Sequence, residues 1–149
     1  MGGYSSEREI SLSSGNTVNK TLSSETWVCY RIVISSENWI VLDSQSNSYP
    51  LSIGDFTFSI DNKIIHFDVV FNAIHGIPGE NGQLAALLEL LSIPHTSCDS
   101  YTAGLTFNKR DCLDVAKKWG IPVAKSISFD KGDITVSYTH LTLPTNREV

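Results

Sequence analysis

Apolar positions along this chain change period several times, and each change marks an element. Ile10, Ser14, Val18 and Leu22 recur at i, i+4 spacing behind Ser6-Glu7-Arg8-Glu9. That S-x-x-E order is a capping box, and the two together predict a helix of about four turns. Residues 27–34 (WVCYRIVI) are rich in β-branched and aromatic side chains and predict a strand, with a shorter one at 38–42. Residues 43–50 (DSQSNSYP) are polar and predict a loop. Residues 56–60 alternate apolar and polar positions, and Asp61-Asn62 can turn them into 63–67 as a hairpin. Residues 68–74 (DVVFNAI) form a nearly continuous apolar run, as expected of a strand buried on both faces.

A loop at 75–82 follows, and then Leu84, Leu87, Leu88 and Leu91 mark an amphipathic helix ended by Ser92-Ile93-Pro94. A third helix is predicted from about Tyr101 to Trp119, with Gly120 at C′ and Pro122 just beyond. Residues 123–129 begin another strand, and 130–133 make a turn. Helices alternating with apolar strands predict an α/β fold with a largely parallel sheet.

Both ends depart from this pattern. Gly2-Gly3-Tyr4-Ser5 opens directly onto the first helix, whereas a glycine turn feeding a helix in an α/β unit ordinarily follows a buried strand. The reading is that the first strand is missing and that Met1 is internal to a longer gene. At the other end, Val136-Ser137-Tyr138-Thr139-His140-Leu141-Thr142-Leu143-Pro144-Thr145 resembles the translation of a sequencing adapter. Residues 136–149 are therefore set aside as a non-native tail, the alternative being a genuine β-rich tail.

The length of 149 residues suits one domain, or one domain and the start of another. Eleven basic against sixteen acidic residues leave a net charge of -5, with no basic stripe to neutralise phosphates, which argues against nucleic acid as a partner. No apolar run approaches the ~20 residues of a membrane span, and MGGYSSEREI lacks the basic and apolar regions of a signal peptide. Cys29, Cys98 and Cys112 are odd in number and widely spaced. They read as reduced thiols of a cytoplasmic protein.

Candidate chemistry gathers in three places. At the Gly2-Gly3 turn, helix N–H groups favour an anion, yet Glu7 in the first turn offers a carboxylate to an ammonium. Glu7 and Glu9 read equally as capping and dipole residues. In His75-Gly76-Ile77-Pro78-Gly79-Glu80-Asn81-Gly82 the titratable groups are His75 and Glu80, at the strand end where α/β sheets bind ligands. A plain turn loop would explain the same residues. Lys109, on the third helix, is a phosphate-contacting charge only if that helix faces a nucleotide, and otherwise a solvated surface lysine.

Four segments in register resemble one family. Residues 2–12 (GGYSSEREISL) resemble the amino-terminal signature of the D-alanine:D-alanine ligases, which are ATP-grasp enzymes, and 75–82 resemble their second signature. Residues 87–96 (LLELLSIPHT) and 105–109 (LTFNK) continue the match, which covers residues 2–135. The resemblance implies a Rossmann-like (pre-ATP-grasp) substrate-side domain over 1–100 and the beginning of an ATP-grasp domain over 101–135. It implies ATP-dependent joining of two D-alanines for peptidoglycan synthesis, with ATP and magnesium as cofactors, in a cytoplasmic homodimer. ATP, with magnesium, would phosphorylate the carboxylate of one D-alanine, releasing ADP, and the amine of the second would attack the acylphosphate and displace phosphate.

By position, Glu7 would hold the first ammonium, His75 would sit near the activated carboxylate, Glu80 would support that loop, and Lys109 would contact ATP phosphate. The magnesium ligands and the rest of the ATP pocket would belong to a C-terminal portion, leaving this piece inactive alone. Asn81 stands where the family has an acidic residue, Ala85-Ala86 where it often has Gln-Gly, and His95 where it often has Tyr. The readings this leaves beside it are a non-catalytic flavodoxin-like binding module and an ATP-grasp ligase with another second substrate.

Overall fold

The computed structural model describes residues 1–22 and 26–128. The tail expected at 136–149, the turn at 130–133 and residue 129 lie outside the described residues, whereas 123–128, expected to begin a strand, form none. Helix α1 (Arg8–Leu22) is followed by β1 (Arg31–Ile34), β2 (Trp39–Leu42) and β3 (Ser48–Pro50), then by the hairpin β4 (Phe58–Ile60) and β5 (Lys63–Ile65). Helices α2 (Gln83–Leu90), α3 (Ser100–Phe107) and α4 (Lys109–Lys118) complete the order.

The α/β composition stands, but the expected largely parallel sheet does not. The ladders β1–β2, β2–β3 and β4–β5 are all antiparallel. The reason lies in the connections, residues 35–38, 43–47 and 61–62, which are far shorter than the dozen or more residues a parallel crossover needs. Parallel pairing among the described residues is confined to the isolated bridges Gly2–Ile34 and Val70–His95.

Several elements differ in extent. The strand expected at 27–34 is paired only from Arg31, and Val28 is exposed. The loop expected at 43–50 ends in β3, because the Asp43 carboxylate accepts the backbone N–H groups of Gln45 (2.9 Å) and Asn47 (2.8 Å) and turns the chain back onto β2. Pro50, which has no N–H to give a ladder, sits at the end of this edge strand. Residues 68–74 are extended but joined by one bridge, and Val69 (43 %) and Phe71 (51 %) are exposed rather than buried on both faces. The single helix expected at 101–119 is two, because the Asn108 side chain accepts the N–H groups of Arg110 and Asp111 and caps α4.

The core lies between the sheet and α2, built from Ile34, Val41, Leu51, Phe56, Phe58, Ile74, Leu84 and Leu88. Phe58 stacks on Phe67 at 5.7 Å, and Tyr30 meets Phe58 edge-on at 4.9 Å. The inward face of helix α1 keeps Ser14 and Val18 of the predicted side but is rotated away from Ile10 and Leu22. Ile10 is 58 % exposed, whereas Ser11 is fully buried. Ser11, Ser14, Gly15 and Val18 form a stripe of small residues, and a Cβ on Gly15 would stand 2.6 Å from the Met1 Cβ. Close approach to the 1–3 segment decides the face.

Candidate functional site at the start of the first helix

Two turns meet at one end of the molecule, and serines from the first helical segment join them. The Ser11 hydroxyl accepts the Gly2 N–H (2.8 Å) and donates to the Ala73 carbonyl (2.7 Å). It thereby ties the glycine turn to the segment entering the 75–82 loop. The Ser5 hydroxyl accepts the Glu7 N–H (3.3 Å) and donates to the His75 carbonyl (2.8 Å). The side chain engaging the helix start is therefore Ser5, one residue ahead of the expected cap at Ser6. Tyr4 N–H adds a bond to the Ile77 carbonyl at 2.8 Å.

The loop also closes on itself. Glu80 accepts the Gly76 N–H through Oε2 (2.9 Å), and its own N–H donates to the Gly76 carbonyl (2.8 Å). Its Oε1 lies 4.0 Å from His75 Nδ1, and His75 Nε2 lies 3.4 Å from the Ser14 hydroxyl. The imidazole thus has one hydrogen-bond contact, at Nε2, with a carboxylate farther off on the Nδ1 side, and remains 42 % exposed.

Gly76 explains how Glu7 reaches this group. With φ at +78°, Gly76 adopts a backbone conformation that side chains disfavour, and a Cβ there would stand 2.8 Å from Ser5 and 3.9 Å from Glu7 Oε2. The absent side chain lets the α1 start close down on the loop, so the exposed Glu7 carboxylate stands beside the backbone next to His75. Glu7, sixty-eight positions before His75, therefore stands on the same open edge as the loop that carries His75 and Glu80. A carboxylate, an imidazole and a second carboxylate in that order can hold a small zwitterion. Glu7 offers oxygens to an ammonium, and a His75 N–H offers a donor to a carboxylate.

Lys109 is not drawn into this group. It is exposed at the first position of α4, and α3 separates it from the loop along the chain. Among the described residues, no three His, Cys, Asp or Glu side chains gather closely enough to hold a metal ion. Sequence reasoning missed Ser5, Ser11 and Ser14. The signal available was the small-residue stripe at 11, 14, 15 and 18, which has helical spacing but only Val18 as an apolar member.

Comparison with known proteins gives one consistent result. The family model described as D-ala D-ala ligase N-terminus matches residues 1–98. A D-alanine--D-alanine ligase of Christiangramia forsetii is 49% identical over 131 residues, covering 88% of this chain and 40% of the relative. The corresponding ligase of Flavobacterium johnsoniae is 47% identical over 133 residues, covering 89% and 41%. The solved D-alanine-D-alanine ligase of Coxiella burnetii superposes with a TM-score of 0.75 at 28% identity, over 83% of this chain and 42% of that one. The chain thus spans about 40% of the length of the curated relatives it matches.

Proposed function

This chain belongs to the D-alanine–D-alanine ligase family through its amino-terminal region, and on that footing we propose that it forms the substrate-side part of an enzyme joining two D-alanines for peptidoglycan synthesis. The observation that carries the proposal is the meeting of Glu7 with the His75-Gly76 backbone, its Oε2 3.9 Å from the Gly76 Cβ position. Two motifs sixty-eight positions apart, counted from Glu7 to His75, have no structural need to present acid and imidazole side by side on an exposed edge.

In this reading Glu7 binds the ammonium of the first D-alanine, and His75 donates to its carboxylate and offsets the negative charge that grows there. Glu80 holds the loop through the Gly76 N–H, and Ser14 and Glu80 orient the imidazole. ATP with magnesium supplies the phosphoryl group that activates this carboxylate. The amine of the second D-alanine then attacks the carbonyl carbon, losing a proton as phosphate leaves. The described residues offer no metal-binding cluster, so magnesium enters none of the roles assigned to them. Lys109 is the residue of this chain assigned to ATP phosphate, as an exposed cation at a helix start. A Rossmann-like substrate-side domain over 1–100, the beginning of an ATP-grasp domain over 101–135, cytoplasmic placement and homodimeric assembly belong to the same proposal.

A chimaera tests it. Residues 2–128 replace the matching region of the Christiangramia forsetii relative, and D-alanine-dependent phosphate release and dipeptide formation are followed. Dipeptide formation within about tenfold of the intact relative supports the reading. A folded chimaera that binds ATP but forms no dipeptide from D-alanine refutes it.

A further inference from the structure

Asn81 is the one asparagine of the chain that is followed by glycine. The pair closes the 75–82 loop and opens α2, and the fold itself demands the glycine. Gly82 has φ of 85° and ψ of -11°, and a Cβ there would overlap the carbonyl oxygen of Ser100. The backbone nitrogen after Asn81 is therefore fixed as a glycine nitrogen, with no side chain to shield it. Chain connectivity holds it near the Asn81 side-chain carbonyl carbon, so that attack by one on the other closes a small ring.

The surroundings favour that attack. The Gly82 N–H has no hydrogen-bond partner among the described residues, so no bond need break to expose the nitrogen. Asn81 Oδ1 accepts the Gln83 N–H at 3.3 Å. Ring closure pushes negative charge onto that oxygen, where this donor and the positive end of α2 stabilise it. Asn81 Nδ2, the group that must leave, has no partner among the described residues. Other asparagines keep theirs tied down. Nδ2 of Asn47 donates to Asp43 (2.9 Å), that of Asn72 to Gly79 (3.0 Å) and Ser97 (2.9 Å), and that of Asn108 to Asp111 (2.6 Å).

We propose that Asn81 is a site of self-modification, deamidating through a cyclic imide while the chain is folded. The Gly82 nitrogen bonds to Asn81 Cγ and the Cγ–Nδ2 bond breaks. The Gly82 proton departs with Nδ2 as ammonia. Water then opens the imide at either carbonyl, giving aspartate or its isomer with the backbone routed through the side chain. Either product carries one negative charge more than the formal -5 of the chain and places it next to Glu80, on the loop that bears His75. The inference rests on the chemistry of this turn, independently of the ligase reading.

The test holds the full chain, folded, in mildly alkaline and in mildly acidic buffer made with heavy-oxygen water. Charge variants are separated, peptides are mapped by mass, and isoaspartate is detected with its methyltransferase. The expected result is a more acidic variant localised to Asn81, with heavy oxygen and isoaspartate at that position. Conversion there should exceed that at Asn47, Asn72 and Asn108 at least tenfold and run faster in the alkaline buffer. Asn81→Gln, which disfavours the ring, should form no such variant. Asn81→Asp should keep or raise the urea midpoint, because its carboxylate sits at the start of α2. Conversion at Asn81 no greater than at the other asparagines would overturn the proposal. So would conversion seen only after unfolding in urea, conversion without isoaspartate, or a lowered midpoint for Asn81→Asp.

Discussion

The Ser5 hydroxyl donates to the carbonyl of His75 across 2.8 Å, joining the start of the first helix to a loop seventy residues away. That bond and the missing Gly76 side chain hold Glu7 and His75 on one edge. The geometry of this contact, and of the Ser11 contact behind it, leads to measurable consequences.

In a ligase carrying this chain, Glu7→Gln keeps shape and removes charge. A charge-assisted hydrogen bond of roughly 1.5–3 kcal/mol corresponds to about 10- to 150-fold. The expected result is a rise of that order in KM for the first D-alanine with KM for ATP little changed, read from initial rates at varied D-alanine.

Gly76→Ala places a Cβ 2.8 Å from Ser5 Cβ and Oγ in a residue with φ at +78°. Strain of this kind costs about 1–3 kcal/mol. The urea midpoint should fall accordingly. A midpoint equal to that of the parent would show that the loop and helix start are not held together as described.

Ser11→Ala removes the one hydroxyl that serves both the Gly2 N–H and the Ala73 carbonyl. Leaving buried polar groups unsatisfied costs about 1–3 kcal/mol. Chemical denaturation should show a loss in that range, larger than the loss from Ser13→Ala on the exposed side of the same helix.

Burial pushes the Met1 ammonium down from 8.0 to about 6. Between these values the unfolded chain holds a proton that the folded chain has released, so stability rises with pH over that window. The expected gain from pH 6 to pH 8 is roughly 2 kcal/mol in urea unfolding. Acetylation of the amine should flatten that part of the profile.

Much of the local structure was legible in the residues themselves. Asp61 and Asn62 turn the β4–β5 hairpin with φ of 50° and 63°, and Gly120 ends the last helix with φ of 72°. These outcomes depend on the dihedral preferences of one or two residues, which tertiary packing has little reason to override. The loop at 75–82 and the acid at Glu7 were legible for a similar reason, as short strings of unusual residue types. The face of α1 was not. Ile10 marked the apolar side, yet the buried residue is Ser11, because hydrogen bonds to Gly2 and Ala73 and the closeness of Met1 outweigh one isoleucine.

Strand pairing was likewise decided outside the strands, by connections too short for a parallel crossover. The apolar run 68–74 marked an extended segment, but how much of it is covered depends on which neighbours lie alongside. Thus the sequence alone determined the turns, most helices and the family resemblance. Only the tertiary structure decided that Ser5, Ser11 and Ser14 serve as the joints. A serine reads as surface until the carbonyl or imidazole it meets, sixty or seventy residues away, is placed beside it.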